Sequence, residues 1–491
     1  MLTIDEIKQF IDDDASSKKK KLAEKGQTYY EGEHDIKNYK LYYYNADGEL
    51  VEDTTRSNIK ISHPFFTELV DQAVQYMLSG KEGFIKSDLP ELQTVLDEYF
   101  NDNEDFTAEL SEVLTGCQAK GFEYMYAYKN AEDKLAFQCA DSIGVVEVRA
   151  KDTDSNTEHV IYWYVDRVEK GKKKIKRIQV WDDKQVEYFV QADGGQLERD
   201  ESEAINPKPH TLYKEEGKDA TFYEGFGYIP FFRLDNNKKQ FSSLKTIKEL
   251  IDDYDLMACG LSNNLQDASE YLVVVSGFEG GNIGEIITNT RTKKAIGVGE
   301  GGNVDFKTVD IPYEARKVKL ELDEKNIYRF GMGLNTAGLK DTTATTNIAI
   351  KAMYALLDLK CSKLEIRLKQ FLRKLIKAVL HEVNTAEGTD YQMKQVYFDF
   401  EHEIMSNAQE NAQIELTEAQ KQQVAINTLL GLATQLDNET LMQLICDELD
   451  IDYEEIKGKL PDPNEADNAV ADAQGALDSV PVVEEVGGVV E

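Results

Sequence analysis

The stretch Gly297-Val298-Gly299-Glu300-Gly301-Gly302 spells G-x-G-x-x-G, a pattern that can bring a pyrophosphate against backbone amides at a helix N-terminus. Such chemistry needs a strand before the glycines and a helix opening at them. Residues 303–309 are strand-like instead, so the glycines are expected to make turns in a small β module. Asp152-x-Asp154-x-Asn156 begins like a calcium loop. Thr157 stands where the sharp turn needs glycine and Trp163 where a bidentate glutamate closes the shell, so a polar turn is expected. His381-Glu382 and His402-Glu403 each lack the second histidine of H-E-x-x-H. The six histidines (34, 63, 159, 210, 381, 402) are scattered, and each is expected to be structural. No Gly-Lys precedes Ser or Thr, and no G-x-S-x-G occurs, so the nucleotide P-loop and the hydrolase elbow are both missing. Among 91 carboxylates no pair is singled out for metal binding or acid–base work. The reading is a non-enzymatic chain with no catalytic residue, no cofactor and no metal.

Charge and composition bound the rest. The 491 residues carry 91 acidic against 56 basic side chains, a formal net charge of −35. That is too negative for a protein that grips nucleic acid by neutralising phosphates over its whole surface, and it argues against docking on anionic lipid. Apolar residues make up 41%, enough for real cores, and at roughly 150 residues per domain the length suggests about three domains. No run of 18 apolar residues exists, so no membrane span is expected. The N-terminus lacks the basic and then apolar plan of a secretory signal. Five cysteines (117, 139, 259, 361, 446) are far apart, odd in number and free of C-x-x-C. They read as reduced thiols of a cytoplasmic protein, not as a disulfide frame or zinc site.

The elements that would position any site read as α+β. A charged helical segment opens the chain, with Ile4, Ile7, Phe10 and Ile11 at helical spacing. Its run Lys18-Lys19-Lys20-Lys21 is expected to be a solvated face, and Gly32 to be the C-terminal cap. A second helix opens near Pro64, with Phe65, Leu69, Val70, Ala73, Val74, Met77 and Leu78 as its apolar face and Gly80 closing it; a third covers 105–119. Short β-branched and aromatic runs at 124–128, 145–148, 160–165, 175–180 and 186–190 predict an antiparallel meander or small sandwich. Leu244, Ile247, Ile251, Tyr254, Ala258, Leu261 and Leu265 then form one helical stripe, in which Ala258-Cys259-Gly260 would let a neighbour approach closely. A strand at 271–275 leads into residues 277–302, which hold eight of the 32 glycines. A helix is expected from Pro312, although 318–322 alternates with period two. A polar, threonine-rich loop follows. Residues 347–384 contain neither glycine nor proline, which predicts a helix on the order of 55 Å long. A strand-like piece at 396–400 and two or three helices over 409–457 complete the ordered chain. Beyond Pro461 eight acids and no bases stand among small residues, expected to be disordered.

Several local segments carry a resemblance. They are Tyr29-Tyr30-Glu31-Gly32-Glu33-His34-Asp35-Ile36; Asn58-Ile59-x-Ile61-x-x-Pro64-Phe65 with Leu69-Val70-Asp71-Gln72 and Tyr76-Met77-Leu78-Ser79-Gly80; Gly225-Phe226-Gly227-Tyr228-Ile229-Pro230-Phe231 followed by Asn236-Asn237; Leu250-Ile251-Asp252-Asp253-Tyr254-Asp255 with Ser262-Asn263; and Ile327-Tyr328-x-Phe330-Gly331-x-Gly333. In order and spacing, over residues 25–460, they resemble the portal proteins of tailed bacteriophages, in particular the portal family of siphophages infecting Gram-positive bacteria. The chain departs from that family's pattern after Phe398, where Phe398-Asp399-Phe400-Glu401-His402 replaces an F-N-x-N element.

The resemblance implies a portal-like α+β subunit of a ring, usually of twelve copies, at one vertex of the phage head. It maps a wing onto 1–240, stem helices onto 241–268 and 312–333, a clip onto 269–311 and a tunnel loop onto 334–346. A wing spine helix and strand fall on 347–404, a crown on 405–460 and the acidic tail on 461–491. Implied partners are further copies of the chain, double-stranded DNA passing through the channel, the terminase large subunit, the head–tail adaptor, and the major capsid and scaffold proteins. The protein would be a virion component assembled in the host cytoplasm. Asn335, Thr336, Lys340, Asp341, Thr342 and Thr343 are the candidate DNA-facing residues of the loop, with Lys340 foremost. Arg291, Lys293 and Lys294 are candidate clip contacts to DNA or a partner. A strongly acidic ring would repel its cargo and let it slide, and hydrolysis would belong to the terminase. Competing readings are another phage head protein, such as a scaffold or head-completion protein, and a metal-dependent nuclease, which would need clustered carboxylates.

Overall fold

The computed structural model describes residues 2–267 except 46, 55, 81–82, 131, 150–156, 170–172 and 215–220, then 272–276, 303–307, 313–335, 347–402, 408–432, 436–449 and 453. The chain divides into two compact units, residues 1–342 with 351–404, and residues 343–350 with 405–491.

In the first unit, Ser17 splits the opening charged segment into α1 (Ile4–Ser16) and α2 (Lys18–Tyr30). A capping box between Thr3 and Glu6 starts α1, and the Ser17 side chain accepts from the Lys20 amide to start α2. Gly32, at φ +75°, follows as expected. The lysine run is not a uniformly solvated face. Lys20 is buried, and its Nζ donates to the Ser142 carbonyl, to the Val145 carbonyl at 2.7 Å and to Asp14 at 3.0 Å. Clustered carbonyls at the Ser142 turn supply acceptors that the local sequence does not reveal, and burial pushes this amine's pKa down.

An exposed ribbon, β1 (Tyr42–Tyr44) and β2 (Leu50–Glu52), comes next. Then follow α3 (Phe65–Met77), β3 (Ile85–Ser87), α4 (Pro90–Leu96) and α5 (Glu104–Lys120). Strands β4 (Phe122–Lys129) and β5 (Leu135–Ala140) pair, and β14 (Phe231–Asp235) joins the other edge of β4. Between them runs the predicted meander. It comprises β6 (Val145–Arg149), β7 (Thr157–Glu169), β8 (Lys173–Trp181), β9 (Gln185–Ala192) and β10 (Leu197–Arg199), with β11 (Lys208–Pro209) also on β9. A separate hairpin, β12 (Thr211–Lys214) with β13 (Thr221–Glu224), follows. Ile7 of α1 seals one face of the meander with Val146, Ile161, Ile178 and Phe189.

Helix α6 (Lys248–Asp267) leads to β15 (Leu272–Ser276), which pairs antiparallel with β16 (Asn303–Lys307), and α7 (Tyr313–Gly331) follows. A strand therefore follows the G-x-G-x-x-G glycines, as the turn reading requires. The period-two stretch 318–322 is helix, with Val318 and Leu322 largely exposed. Helix α8 (Asn347–Glu387) has 41 residues, about 60 Å at 1.5 Å per residue. Its row Leu357, Cys361, Leu364, Leu368 and Leu375 enters the main core with α3 and α5. β17 (Val396–Phe398) returns to pair with β3. In the second unit α9 (Ala408–Gly431) and α10 (Asn438–Glu448) pack together, with Asp437 capping α10 through the Thr440 amide and hydroxyl. No described helix is long and apolar enough to cross a membrane, and all five thiols are free.

Candidate functional site

Helices α6 and α7 pack as a pair and carry β15 and β16 between them. The way each helix is rooted in the body sets where everything beyond it can point.

The α6 root is electrostatic. Asp255 is fully buried and receives His34 Nδ1 at 2.6 Å on one oxygen. Its other oxygen receives His63 Nδ1 at 2.7 Å and the His63 amide at 3.0 Å. A carboxylate only accepts, so both imidazoles donate from Nδ1. His34 Nε2 is buried and faces no partner, so a second proton there would be an unpaired donor. The hydrogen that Asp255 receives from His34 therefore sits on Nδ1. Burial pushes the Asp255 carboxyl up, but the bonds from the two histidines outweigh it and hold it below the ordinary range. Two turns earlier, Lys248 bridges Asp35 at 2.7 Å and Asp252 at 2.6 Å, while Lys25 reaches Asp35 at 2.7 Å. Burial works against ionisation of Asp35, yet these two lysines bring its pKa down to about 2. Tyr29 donates to Asp252 and stacks on the His34 ring at 4.5 Å. Further along, the Ile59 amide meets Asn263 Oδ1 at 2.7 Å and the Ile61 amide meets Cys259 Sγ at 3.2 Å. This is the close approach that the small trio 258–260 predicts.

The α7 root is steric. Gly331 and Gly333 lie against Leu69 of α3 so closely that a Cβ on either would overlap the leucine methyls. Gln72 holds Leu334 at two points, donating from Nε2 to its carbonyl and accepting its amide on Oε1, both at 2.9 Å. One amide side chain thus satisfies both backbone groups of a buried residue. Tyr328 donates to Glu68 at 2.6 Å. Phe65 joins the roots, packing edge-on to Tyr254 at 4.8 Å and to Tyr328 at 5.9 Å. Between the helices Lys319 binds Asp253 and the buried Asp323.

Of the residues that sequence reasoning selected, Asn335 is placed here. It is half-buried directly after the clamped Leu334, with Nδ2 3.3 Å from Glu324 Oε1. Thr336, Lys340, Asp341, Thr342 and Thr343 lie outside the described residues, as do Arg291, Lys293 and Lys294. The acidic tail and the glycine run itself are also outside them. Sequence reasoning missed the Asp255 cluster. Its histidines lie 221 and 192 positions away from the aspartate, so no spacing rule connects them. The one available signal is that His34 and Asp255 both fall inside segments that carry the family resemblance. Among the described residues no group of three or more His, Cys, Asp or Glu could hold a metal ion.

An α+β body carrying a rooted helix pair, a strand pair between the helices, and a long helix after the following segment follows the order of elements read in the sequence. The comparison with protein families agrees. The model described as "Phage portal protein, SPP1 Gp6-like" matches residues 9–457, and the chain belongs to that family. The portal protein of Bacillus phage SPP1 is 27% identical over 352 residues, covering 71% of this chain and 67% of that protein. The portal protein of Clostridium phage phiCD119 is 25% identical over 436 residues, covering 84% and 89%.

Proposed function

We propose that the chain is the subunit of a ring, of twelve copies, at one capsid vertex, and that the ring is a conduit for double-stranded DNA during packaging and ejection. The observation that carries this reading is the family match over residues 9–457. The rooted pair α6 and α7 supports it, because a conduit that also docks partners needs rigid struts whose far ends are fixed from the body. In this reading 1–240 is the wing, α6 and α7 are the stem, 269–311 is the clip and 334–346 the tunnel loop. α8 is the wing spine, and 405–460 the crown. The terminase large subunit and then the head–tail adaptor bind at the clip; the major capsid and scaffold proteins are further partners. The role is structural, and the virion is its place.

Net charge −35 suits a channel that must not hold its cargo, since every phosphate neutralised adds affinity. Lys340, with Asn335, Thr336, Asp341, Thr342 and Thr343, would offer the passing duplex a weak, polar contact. Arg291, Lys293 and Lys294 would serve the clip. Electron microscopy of the purified chain tests the proposal. A ring with an axial hole wide enough for duplex DNA is expected; a compact closed particle without a hole would overturn it.

A further inference from the structure

Two surfaces of the first unit are open where a solitary domain would cover them. The β1–β2 ribbon has a well-made turn: Asn45 Oδ1 accepts the amides of Asp47 at 3.0 Å and Glu49 at 2.8 Å, and Gly48 takes φ +78°. Its strands are nevertheless exposed on both faces, Tyr44 by 73% and Leu50 by 59%, with Tyr42 and Tyr43 about half exposed. A two-stranded ribbon is marginal in water without a packed face, and clustered exposed aromatic and leucine side chains mark a contact surface. The second surface is the outside of α8. Leu356, Leu359, Lys363 and Ile366 recur at steps of three and four, on the face opposite the buried row Leu357, Cys361 and Leu364, and all four are exposed. Lys374 and Lys377 continue that face.

The two surfaces carry opposite charge. Residues 351–377 hold eight basic and two acidic side chains, and both acids are engaged within the unit, Asp358 by Tyr76 at 3.2 Å and Glu365 by His402 at 2.6 Å. Residues 39–53 hold four acids and one base, Lys40, which pairs with Glu52 at 2.8 Å. Asp47 and Glu49 remain exposed at the turn. We infer that the ribbon of one subunit docks on the outer face of α8 of the next copy in the ring. Tyrosines and Leu50 meet Leu356, Leu359 and Ile366, and the acidic turn meets Lys363, Lys374 or Lys377. This rests on the ring reading. A cyclic ring is closed by a heterologous contact, in which each chain gives one patch and receives on a different one, and these are two such patches of matching character. Duplex DNA fits α8 less well, because leucine and isoleucine on the contact face gain nothing from phosphates.

The test uses the full chain carrying Tyr44→Cys and Ile366→Cys, isolated as rings and treated with a short bis-maleimide. A ladder of covalent multimers is expected from the double variant and from neither single variant, with the unaltered chain as control for its five native thiols. In parallel, Asp47→Lys with Glu49→Lys should raise the concentration for half-assembly about tenfold or more. Adding Lys363→Glu and Lys374→Glu should restore assembly. All these positions are exposed, and circular dichroism checks that the fold is kept. Rings without a ladder leave the ring reading standing and overturn this docking. So does a ladder or dimer from Tyr44→Cys alone, or an intrachain product joining α8 to residues 408–448. Unchanged assembly with weakened duplex DNA retention on reversing the α8 charges would also overturn it, by assigning that face to DNA. A single-copy particle at every concentration would overturn both readings.

Discussion

Helices α6 and α7 share one aromatic neighbour, Phe65, yet they are rooted by different physics. The α6 root buries a carboxylate that His34 and His63 satisfy with three hydrogen bonds, beside a lysine network around Asp35 and Asp252. The α7 root relies on glycines that admit Leu69 and on one glutamine that imitates a backbone partner. A charged root is strict about which groups face each other and depends on their protonation. A steric root tolerates no added volume. Two struts that emerge together can thus respond separately to their surroundings.

Asp255→Ala should be the largest blow to that contrast. It strands the His34 Nδ1 hydrogen in a buried site and should cost about 3 kcal/mol in urea unfolding. Hydrogen exchange should rise along residues 248–259 more than along 319–331. Equal loss of protection in both helices would show that the roots are not separable. Gly333→Val should come next, at about 2 kcal/mol, because the new side chain overlaps Leu69. Pairing it with Leu69→Ala should recover part of the loss in a double-mutant cycle, and strict additivity would argue against steric rooting. Gln72→Ala should cost about 1–2 kcal/mol, since it unpairs both backbone groups of buried Leu334. Exchange should rise at the amide of Leu334 while the Asp255 region stays protected.

The most specific effect is in pH. The folded pKa values of Asp255 and Asp35 are depressed, that of Asp35 to about 2. The stability they contribute is complete above the ordinary carboxylate value near 3.8 and is lost as pH falls toward 2. The α7 side has the opposite sign. Lys360 of α8 donates to the Leu69 carbonyl at 3.1 Å, and burial lowers its pKa to about 8. Its ionised form therefore opposes folding below pH 8, and that cost is relieved between about 8 and 10.5. Asp35→Asn should flatten the acid limb of a stability–pH curve, and Lys360→Met the alkaline rise, each without moving the other.

Much of this was legible in the residues. The Gly32 cap, the antiparallel meander, the unbroken α8 and the helical stripe over 244–265 follow from local chemistry, namely side-chain period, turn residues and the absence of glycine or proline. The strand-like residues after the G-x-G-x-x-G glycines argue by themselves against a dinucleotide loop, and β16 lies there. Burial of Lys20 was not legible, because a lysine run looks the same whether or not a distant turn presents carbonyls to it. Nor was the helical state of 318–322, where the two-residue alternation belongs to a largely exposed helix face.

The sequence by itself determined the α+β class, the order of elements and the family, because those depend on neighbours within a few residues and on a linear succession of segments. Only the tertiary structure decided what anchors the helix pair. Asp255 and its histidines, Leu69 and the two glycines, and Gln72 and Leu334 are separated by roughly two hundred residues or more along the chain. Charge neutralisation and steric fit act over a few ångströms of space, and no pattern along a chain encodes which distant residues will be brought that close.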